Sequence, residues 1–167
     1  MKNIILLLIG VYITSCGGGS NRTAAELWDD AQKNRAEDKL KESITSFKTI
    51  LVKHPSDNFA AEAQFQIADI YLNDVKDFDF AVKEFQKVVD LYPDHEVSKK
   101  SLFMIAYIFN NYLNAYSDAI ITYKLFRKKY PNDELIPSVD FELEGLKVIQ
   151  STIDSLNSIV NRKSNNL

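Results

Sequence analysis

Cysteine, glycine and proline are all scarce in this chain. Its 167 residues include one cysteine, Cys16, together with five glycines and four prolines. A single cysteine excludes an intramolecular disulfide, so packing must stabilise the fold. Four of the glycines lie within the first 19 residues, and every proline lies at position 55 or later. Because sheets with many tight turns depend on such residues, the long stretches without them favour helices.

The sequence also lacks a strong excess of charge of either sign. Twenty Lys and Arg residues face 23 Asp and Glu residues, and the basic ones are spread along the chain. This distribution does not indicate a nucleic-acid partner or an electrostatic attraction to anionic lipid. Neither of the two histidines, His54 and His95, belongs to a metal-binding or catalytic motif. We therefore expect no enzymatic activity and no cofactor.

A hydrophobic leader opens the chain. Lys2 is followed by an apolar stretch over residues 4–13, the layout of a secretory signal. The stretch is shorter than the roughly 20 residues of a transmembrane helix. The four residues Ile13-Thr14-Ser15-Cys16 then resemble a bacterial lipobox, which implies lipidation of Cys16. We predict a signal peptide over 1–15 and a lipidated cysteine with a flexible tether over 16–23. The alternative is an ordinary signal peptide with an incidental cysteine.

A repeat dominates the rest of the sequence. Pro55, Pro93 and Pro131 are spaced at intervals of 38 residues, and a fixed period of roughly 20–50 residues is typical of stacked units. At the same spacing, apolar and small residues coincide, for example Phe65 with Phe103 and Ala68 with Ala106. An earlier copy aligns in its second half, whereas its first half aligns only if one residue is dropped.

Each repeat unit is predicted to be a pair of helices. Two apolar stripes mark the first helix of a unit, one broad stripe marks the second, and the proline ends the pair. The predicted units are 24–57, 58–95 and 96–133. Small side chains at Ala68 and Ala106 allow the partner helix to approach closely. The sequence thus predicts an all-α solenoid of about three helix pairs with a long C-terminal capping helix.

The pattern resembles the tetratricopeptide repeat. Phe65, Ala68 and Tyr71 in a first helix, with Ala81 and Phe85 in a second, match its large, small and aromatic positions. That resemblance implies a right-handed solenoid. The long repeat period, the Tyr-Pro joints and the lipobox together are similar to the BamD (YfiO) family of outer-membrane assembly lipoproteins. The repeats are also similar to those of the CpoB (YbgF) family. Three repeats are fewer than the five usual in BamD-like proteins.

A terminal helix is predicted over 134–162, followed by a tail over 163–167. Its apolar residues recur at spacings of three and four, as in an amphipathic helix. One interpretation is that it caps the exposed end of the stack. The other is that its end projects and binds a partner or a second copy through Ile153, Leu156, Ile159 and Val160.

The side lined by the first helices is the predicted partner-binding groove. Spacings of three and four place Gln66, Asp69 and Asn73 together, and the aligned residues of the next unit are Met104, Tyr107 and Asn111. Such residues suit the recognition of an extended peptide. The alternative is that Met104 and Tyr107 only pack beneath the terminal helix.

The sequence therefore predicts a non-catalytic, lipid-anchored scaffold for protein–protein interactions in the cell envelope. The resemblance to BamD implies a role in outer-membrane protein assembly at the periplasmic face of the outer membrane. It also implies envelope proteins as partners, including a β-barrel assembly component, with membrane attachment through the lipid alone. The alternatives are a CpoB-like coordinator of envelope or cell-wall assembly and an accessory lipoprotein that binds a peptide or small ligand. Self-association stays open.

Overall fold

The computed structural model describes the backbone of residues 22–164 and the side chains of residues 22–159. The predicted signal peptide, Cys16 and most of the tether lie outside the described residues. So do the side chain of Val160 and the last three residues of the predicted tail.

Seven α-helices follow one another along residues 22–164, without a strand. They are α1 (Ala24–Ala36), α2 (Leu40–Lys53), α3 (Asn58–Ile70), α4 (Phe78–Leu91), α5 (Glu96–Asn111), α6 (Tyr116–Lys129) and α7 (Ile136–Ser164). A π-helical turn over Tyr71–Val75 extends α3. The predicted all-α solenoid of three helix pairs with a long terminal helix is confirmed.

Each helix packs against the next one in the chain, and the first helices α1, α3 and α5 also contact one another. Three apolar clusters result, each enclosed by one helix pair and the first helix that follows it. In the third cluster that following helix is α7, which contributes Val139, Leu143 and Leu146. The terminal helix therefore packs on the third pair in the same way as α3 and α5 pack on the first and second pairs, as the first helix of a fourth unit would.

Small buried residues set the distance between paired helices. One small residue of each first helix is completely buried, namely Ala31, Ala68 and Ala106. The same is true of one small residue of each second helix, namely Ser43, Ala81 and Ala119. An aromatic ring of each first helix packs on one of its partner, with centroid distances of 5.2 Å for Trp28–Phe47, 5.2 Å for Phe65–Phe85 and 5.7 Å for Phe103–Tyr123.

The turn between the two helices of a unit recurs with the same period as the prolines. Asp38, Lys76 and Asn114 are the non-glycine residues with positive φ among those described, at 59°, 61° and 51°, and they occupy equivalent positions in the three units. A residue in this left-handed conformation reverses the chain after a helix, although the conformation is strained for any residue other than glycine. The repeat is thus encoded in backbone conformation at positions whose residue types differ.

The joint between units recurs as well. His54, Tyr92 and Tyr130 end the second helices with φ between −132° and −129°, immediately before the prolines. Two residues after each proline, Asp57, His95 and Asp133 accept a hydrogen bond from the backbone N–H two residues later. These side chains satisfy backbone N–H groups at the start of the next segment.

The turn also explains why one residue must be dropped to align the first unit. In the second and third units, the turn is closed by hydrogen bonds from Asp77 N–H to the Tyr71 carbonyl and from Ala115 N–H to the Phe109 carbonyl. The corresponding bond in the first unit joins Lys39 N–H to the Asn34 carbonyl, which is one residue closer along the chain. The missing residue is therefore at the end of α1.

The terminal helix differs slightly from its predicted bounds, since it begins at Ile136 and continues through Ser164. Lys163 and Ser164, which the sequence assigned to the tail, are helical. With 29 residues, α7 is about twice as long as any other helix in the described part. No helix within residues 22–164 is both long and apolar enough to cross a bilayer.

One buried hydroxyl breaks the pattern of the second helices. Tyr123 is fully buried at the position that Phe47 and Phe85 occupy in the earlier units. Its hydroxyl finds no hydrogen-bond partner among the described residues, and burial raises the pKa of Tyr123 well above its usual range. A buried polar group without a hydrogen-bond partner lowers the free energy of unfolding, so the Tyr123 hydroxyl destabilises the folded chain.

We predict that Lys76→Gly raises the stability of the folded chain by about 0.5–1 kcal/mol, because glycine adopts positive φ without steric strain. The matched control is Lys83→Gly, which places the same substitution at an exposed position inside α4 and is expected to lose about 1 kcal/mol. Thermal unfolding of both variants measures the change in stability. Equal destabilisation by the two changes would contradict the strain at Lys76.

We further predict that Tyr123→Phe leaves stability unchanged or raises it by up to about 1 kcal/mol, since it removes an unsatisfied hydroxyl without creating a large cavity. Phe85→Tyr is the reciprocal control and is expected to destabilise by about 1–3 kcal/mol. Urea unfolding of both variants measures the difference. A marked loss of stability in Tyr123→Phe would mean that the hydroxyl has a partner.

Candidate protein-binding surface

The structure brings the predicted groove residues together on the first helices. Gln66 and Asp69 lie on α3, Asn73 follows in the π-helical turn, and the other three lie on α5. Because α3 and α5 contact each other and occupy the same place in successive units, aligned residues lie side by side. We call the surface made by Gln66, Asp69, Asn73, Met104, Tyr107 and Asn111 the first-helix surface.

An arginine that the sequence analysis did not select joins the polar part of this surface. Arg35, near the end of α1, donates hydrogen bonds to Gln66 Oε1 at 2.9 Å and to Asp69 Oδ2 at 2.6 Å. Its Nε also donates to Asp74 Oδ2 at 2.8 Å. Asn73 donates to the second oxygen of Asp69 at 2.7 Å. Both oxygens of Asp69 are therefore engaged within the protein.

This network sets the charge at the polar end of the surface. Two carboxylates, Asp69 and Asp74, face one guanidinium, so the cluster carries a net charge of −1. The three side chains are between a fifth and a third exposed, which leaves them partly screened by water. We conclude that Arg35 fixes the first unit to the second at this end, and that a ligand must approach side chains already held in place.

The aromatic end of the surface is exposed to the same degree as the polar end. Tyr107 is half-buried, with its ring stacked near Phe103 at 6.4 Å and edge-on to Tyr112 at 6.0 Å. Asn111 is exposed and donates from its side chain to the Tyr107 carbonyl at 3.0 Å. Met104 is half-buried against the second apolar cluster. A rigid tyrosine beside an exposed amide is a common feature of protein-binding surfaces.

A cavity of about 290 Å³ adjoins Met104 on the N-terminal side. Its apolar wall is made by Phe65, Phe103 and Met104, and charged residues from α5 and from the loop between α6 and α7 surround it. Across it, Lys99 forms an ion pair with Asp133 at 2.9 Å. This lysine and the backbone N–H of Leu135 lower the pKa of the Asp133 carboxyl. The cavity thus combines an apolar floor with a fixed charged rim.

A larger depression of about 580 Å³ lies between α6 and α7. Its floor is Ile120 and Leu143, but the charges on its rim are largely paired with one another, as in Arg127–Asp140 at 3.2 Å and Lys147–Glu144 at 2.7 Å. The rim of the smaller cavity is paired in a similar way, through Lys99–Asp133 and through Lys100–Glu96 at 3.9 Å. We select the smaller cavity because it adjoins Met104, one of the predicted groove residues.

The residues predicted for a terminal partner surface lie on the projecting part of α7. Leu156 is 57% exposed and Ile159 is 47% exposed, whereas Ile153 is half-buried. Within residues 22–164, no group of three His, Cys, Asp or Glu side chains is arranged to hold a metal ion.

Arg35 was missed because the repeat alignment of the first unit was approximate. With one residue dropped, Gln32 aligns with Asp69 and Ala36 with Asn73, so Arg35 lies beside the aligned positions and not on one of them. A signal was present nonetheless: Arg35 is the arginine in α1, and two acidic residues, Asp69 and Asp74, follow one repeat later. Only the packing of α1 on α3 reveals that the long side chain bridges the two units.

Comparison with known proteins supports this description. No curated protein matches the chain. The family model described as "Soluble NSF attachment protein, SNAP" matches residues 14–137, a range that contains all three helix pairs and ends at the start of α7. Helical-repeat domains of this kind are protein-interaction scaffolds of the adaptor type. Because the match covers well over half of the sequence, the chain belongs to the soluble NSF attachment protein family.

Proposed function

We propose that this protein is a non-catalytic, lipid-anchored scaffold that holds envelope proteins at the periplasmic face of the outer membrane, with a BamD-like role in outer-membrane protein assembly. The single observation that carries the proposal is the first-helix surface, where a cavity with an apolar floor adjoins Met104, and the half-buried Tyr107 and exposed Asn111 follow on the same helix. Such a surface offers an anchor pocket together with hydrogen-bonding groups, the combination that an extended peptide segment requires.

The volume of the cavity is compatible with a single side chain of a partner. It is about 290 Å³, at the lower end of the range of about 300–1,000 Å³ typical of small-molecule pockets. One large apolar side chain of a partner fits such a volume, with the rest of the partner lying along Tyr107 and Asn111. The match to a family of helical-repeat scaffolds, and not the volume, favours a protein partner over the small-ligand alternative. A CpoB-like coordinator of cell-wall assembly would use the same surface and differs only in the partner.

The anchor is the second part of the proposal, and the leader supports it. The lipobox-like residues end at Cys16, and a short tether separates this cysteine from α1, which begins at Ala24. A single lipid on such a tether keeps the first-helix surface close to the bilayer. The local concentration of membrane-bound partners is thereby raised without any new contact.

We predict that Cys16→Ser abolishes labelling with palmitate and transfers the protein from the detergent phase to the aqueous phase, because the thiol is the site of acylation. Ser20→Ala, a change in the adjoining tether, is the control and is expected to leave both properties intact. Metabolic labelling followed by detergent phase separation makes the measurement. Labelling that persists in Cys16→Ser would refute the lipid anchor.

We also predict that Tyr107→Ala lowers the recovery of the envelope partner by about tenfold or more, because an aromatic side chain at the centre of an interface carries much of its binding energy. Leu125→Ala, which trims an exposed apolar side chain on α6, is the control. Crosslinking and affinity purification from detergent-solubilised membranes measure the recovery.

Recovery of a β-barrel assembly protein by the unmodified chain, lost in Tyr107→Ala, supports the BamD-like role. Recovery of wall-synthesis proteins alone favours the CpoB-like coordinator. Equal recovery of partners by Tyr107→Ala and the unmodified chain would show that the first-helix surface is not where they bind.

A further inference from the structure

The terminal helix α7 is a first helix whose own second helix is missing from the described part. By the period of the repeat, Phe141 corresponds to Phe65 and Phe103, the aromatic rings that pack on the second helix of their units. Those two rings are half-buried, whereas Phe141 is 79% exposed. The surface that accepts a second helix in the preceding units is therefore uncovered on α7.

Within residues 22–164 the chain does not turn back to cover Phe141. The left-handed residues Asp38, Lys76 and Asn114 reverse the three earlier units, and the next position in this series is Thr152. Here α7 continues as a helix to Ser164. The residues that follow also lack the pattern of a second helix, since Asn157 stands at the alanine position and Asn161 at the aromatic position. The end of α7 is thus a projection.

A continuous side of α7 is exposed, and its spacings of four and three residues place it on one face. It consists of Phe141, Gly145, Val148, Thr152, Ser155 and Ile159. We call this side the α7 stripe. Val148 is 62% exposed and Ile159 is 47% exposed. A Cβ added at Gly145 would meet nothing within 4 Å. The monomer therefore gains nothing from a glycine that weakens the helix, whereas an approaching helix would need the space.

The projecting part of α7 is also unusually poor in charge for a helix in water. From Val148 to Ile159, Asp154 is the one ionisable side chain. An isolated helix in solvent is normally covered with charged residues, and depletion of charge is typical of the core of an interface. The composition thus indicates that another protein surface covers this segment.

We propose that the α7 stripe is a homodimer interface in which the α7 helices of two copies pack antiparallel. With the twofold axis near residue 150, Phe141 lies opposite Ile159 of the second copy, Gly145 opposite Ser155, and Val148 opposite Thr152. Phe141 and Ile159 form an apolar layer at each end, Val148 and Thr152 pack next to the axis, and Gly145 meets a serine between them, where the lack of a side chain lets the helices approach. This regular pairing within one stripe is the reason for choosing a second copy as the occupant.

The dimer covers Phe141 in both copies. The projecting end of one copy runs antiparallel to the first half of the other α7 and lies on the stripe. It does not reproduce the contact of a second helix, because the position of Ala68 and Ala106 is occupied in α7 by Glu144, which is exposed and paired with Lys147 at 2.7 Å. The packed cores lie on the sides of the two α7 helices that face away from the stripe, so they do not collide. By the repeat period Gly145 corresponds to Tyr107, so the stripe lies next to the first-helix surface, but the two surfaces share no residue and either proposal can fail without the other.

Sedimentation of the full chain in mild detergent tests the proposal. The unmodified protein is expected to be a dimer, and Phe141→Glu is expected to weaken dimerisation by about tenfold or more. Ile121→Glu, which adds the same charge at a 65% exposed site on α6, is expected to leave the dimer intact. A monomer at all concentrations would overturn the proposal, as would a dimer that Phe141→Glu does not weaken.

A second variant separates loss of dimerisation from loss of folding. Gly145→Leu is expected to raise the melting temperature of the chain, because leucine favours a helix more than glycine does. It should nevertheless weaken dimerisation, because the added side chain fills the space that the second helix occupies. A stabilised variant that still dimerises as tightly would refute close packing at Gly145.

Engineered cysteines determine the orientation. In a Cys16→Ser background, differently tagged Phe141→Cys and Ile159→Cys chains are mixed and oxidised, and a disulfide between the two variants is expected. Phe141→Cys with itself should not crosslink, because an antiparallel pair separates the two positions by about 27 Å. A disulfide between two Phe141→Cys chains would overturn the antiparallel arrangement. Crosslinking of position 141 in cells to a different protein, and not to a second copy, would overturn the homodimer itself.

Discussion

Close packing at small residues is the constraint on which the rest of this structure depends. Ala68 and Ala106 are fully buried in first helices, and Ala81 and Ala119 take the aligned place in second helices. An alanine lets the neighbouring backbone approach, so the larger rings beside it, such as Phe85, can fill the space between two units. The fixed repeat period, the left-handed turn and the proline joint all serve to place this contact at the same level in every unit.

Two kinds of contact extend this order from one unit to the next. Apolar clusters are shared between each pair and the following first helix, and polar bridges add to them at the surface. Arg35 ties the first unit to the second, while Lys99 and Asp133 tie α5 to the segment before α7. A stack held in this way presents side chains in fixed positions. That rigidity is the physical basis of a scaffold, since little conformational entropy is lost when a partner binds.

The last helix of the stack, α7, differs from the helices of the repeats. The family match stops at residue 137, and α7 then extends well beyond the length of a repeat helix. Val139, Leu143 and Leu146 on one side close the last apolar cluster, and the exposed stripe occupies the other. The interpretation of the terminal helix as a cap describes its first half, whereas binding by its projecting half stays a prediction. Its first half performs the capping, and its projecting half is available for contacts outside the chain.

The sequence alone determined the helix pairs, their number and the positions of their small and aromatic residues, because periodic apolar patterns and prolines are local properties of the chain. It also placed Tyr107 and Asn111 on one face. The tertiary structure decided what each face meets. Arg35 reaches a carboxylate in the next unit, and Phe141 stays exposed because the helix that carries it continues to Ser164 without folding back. Neither outcome follows from local pattern, since both depend on which distant side chain occupies, or leaves empty, a neighbouring position.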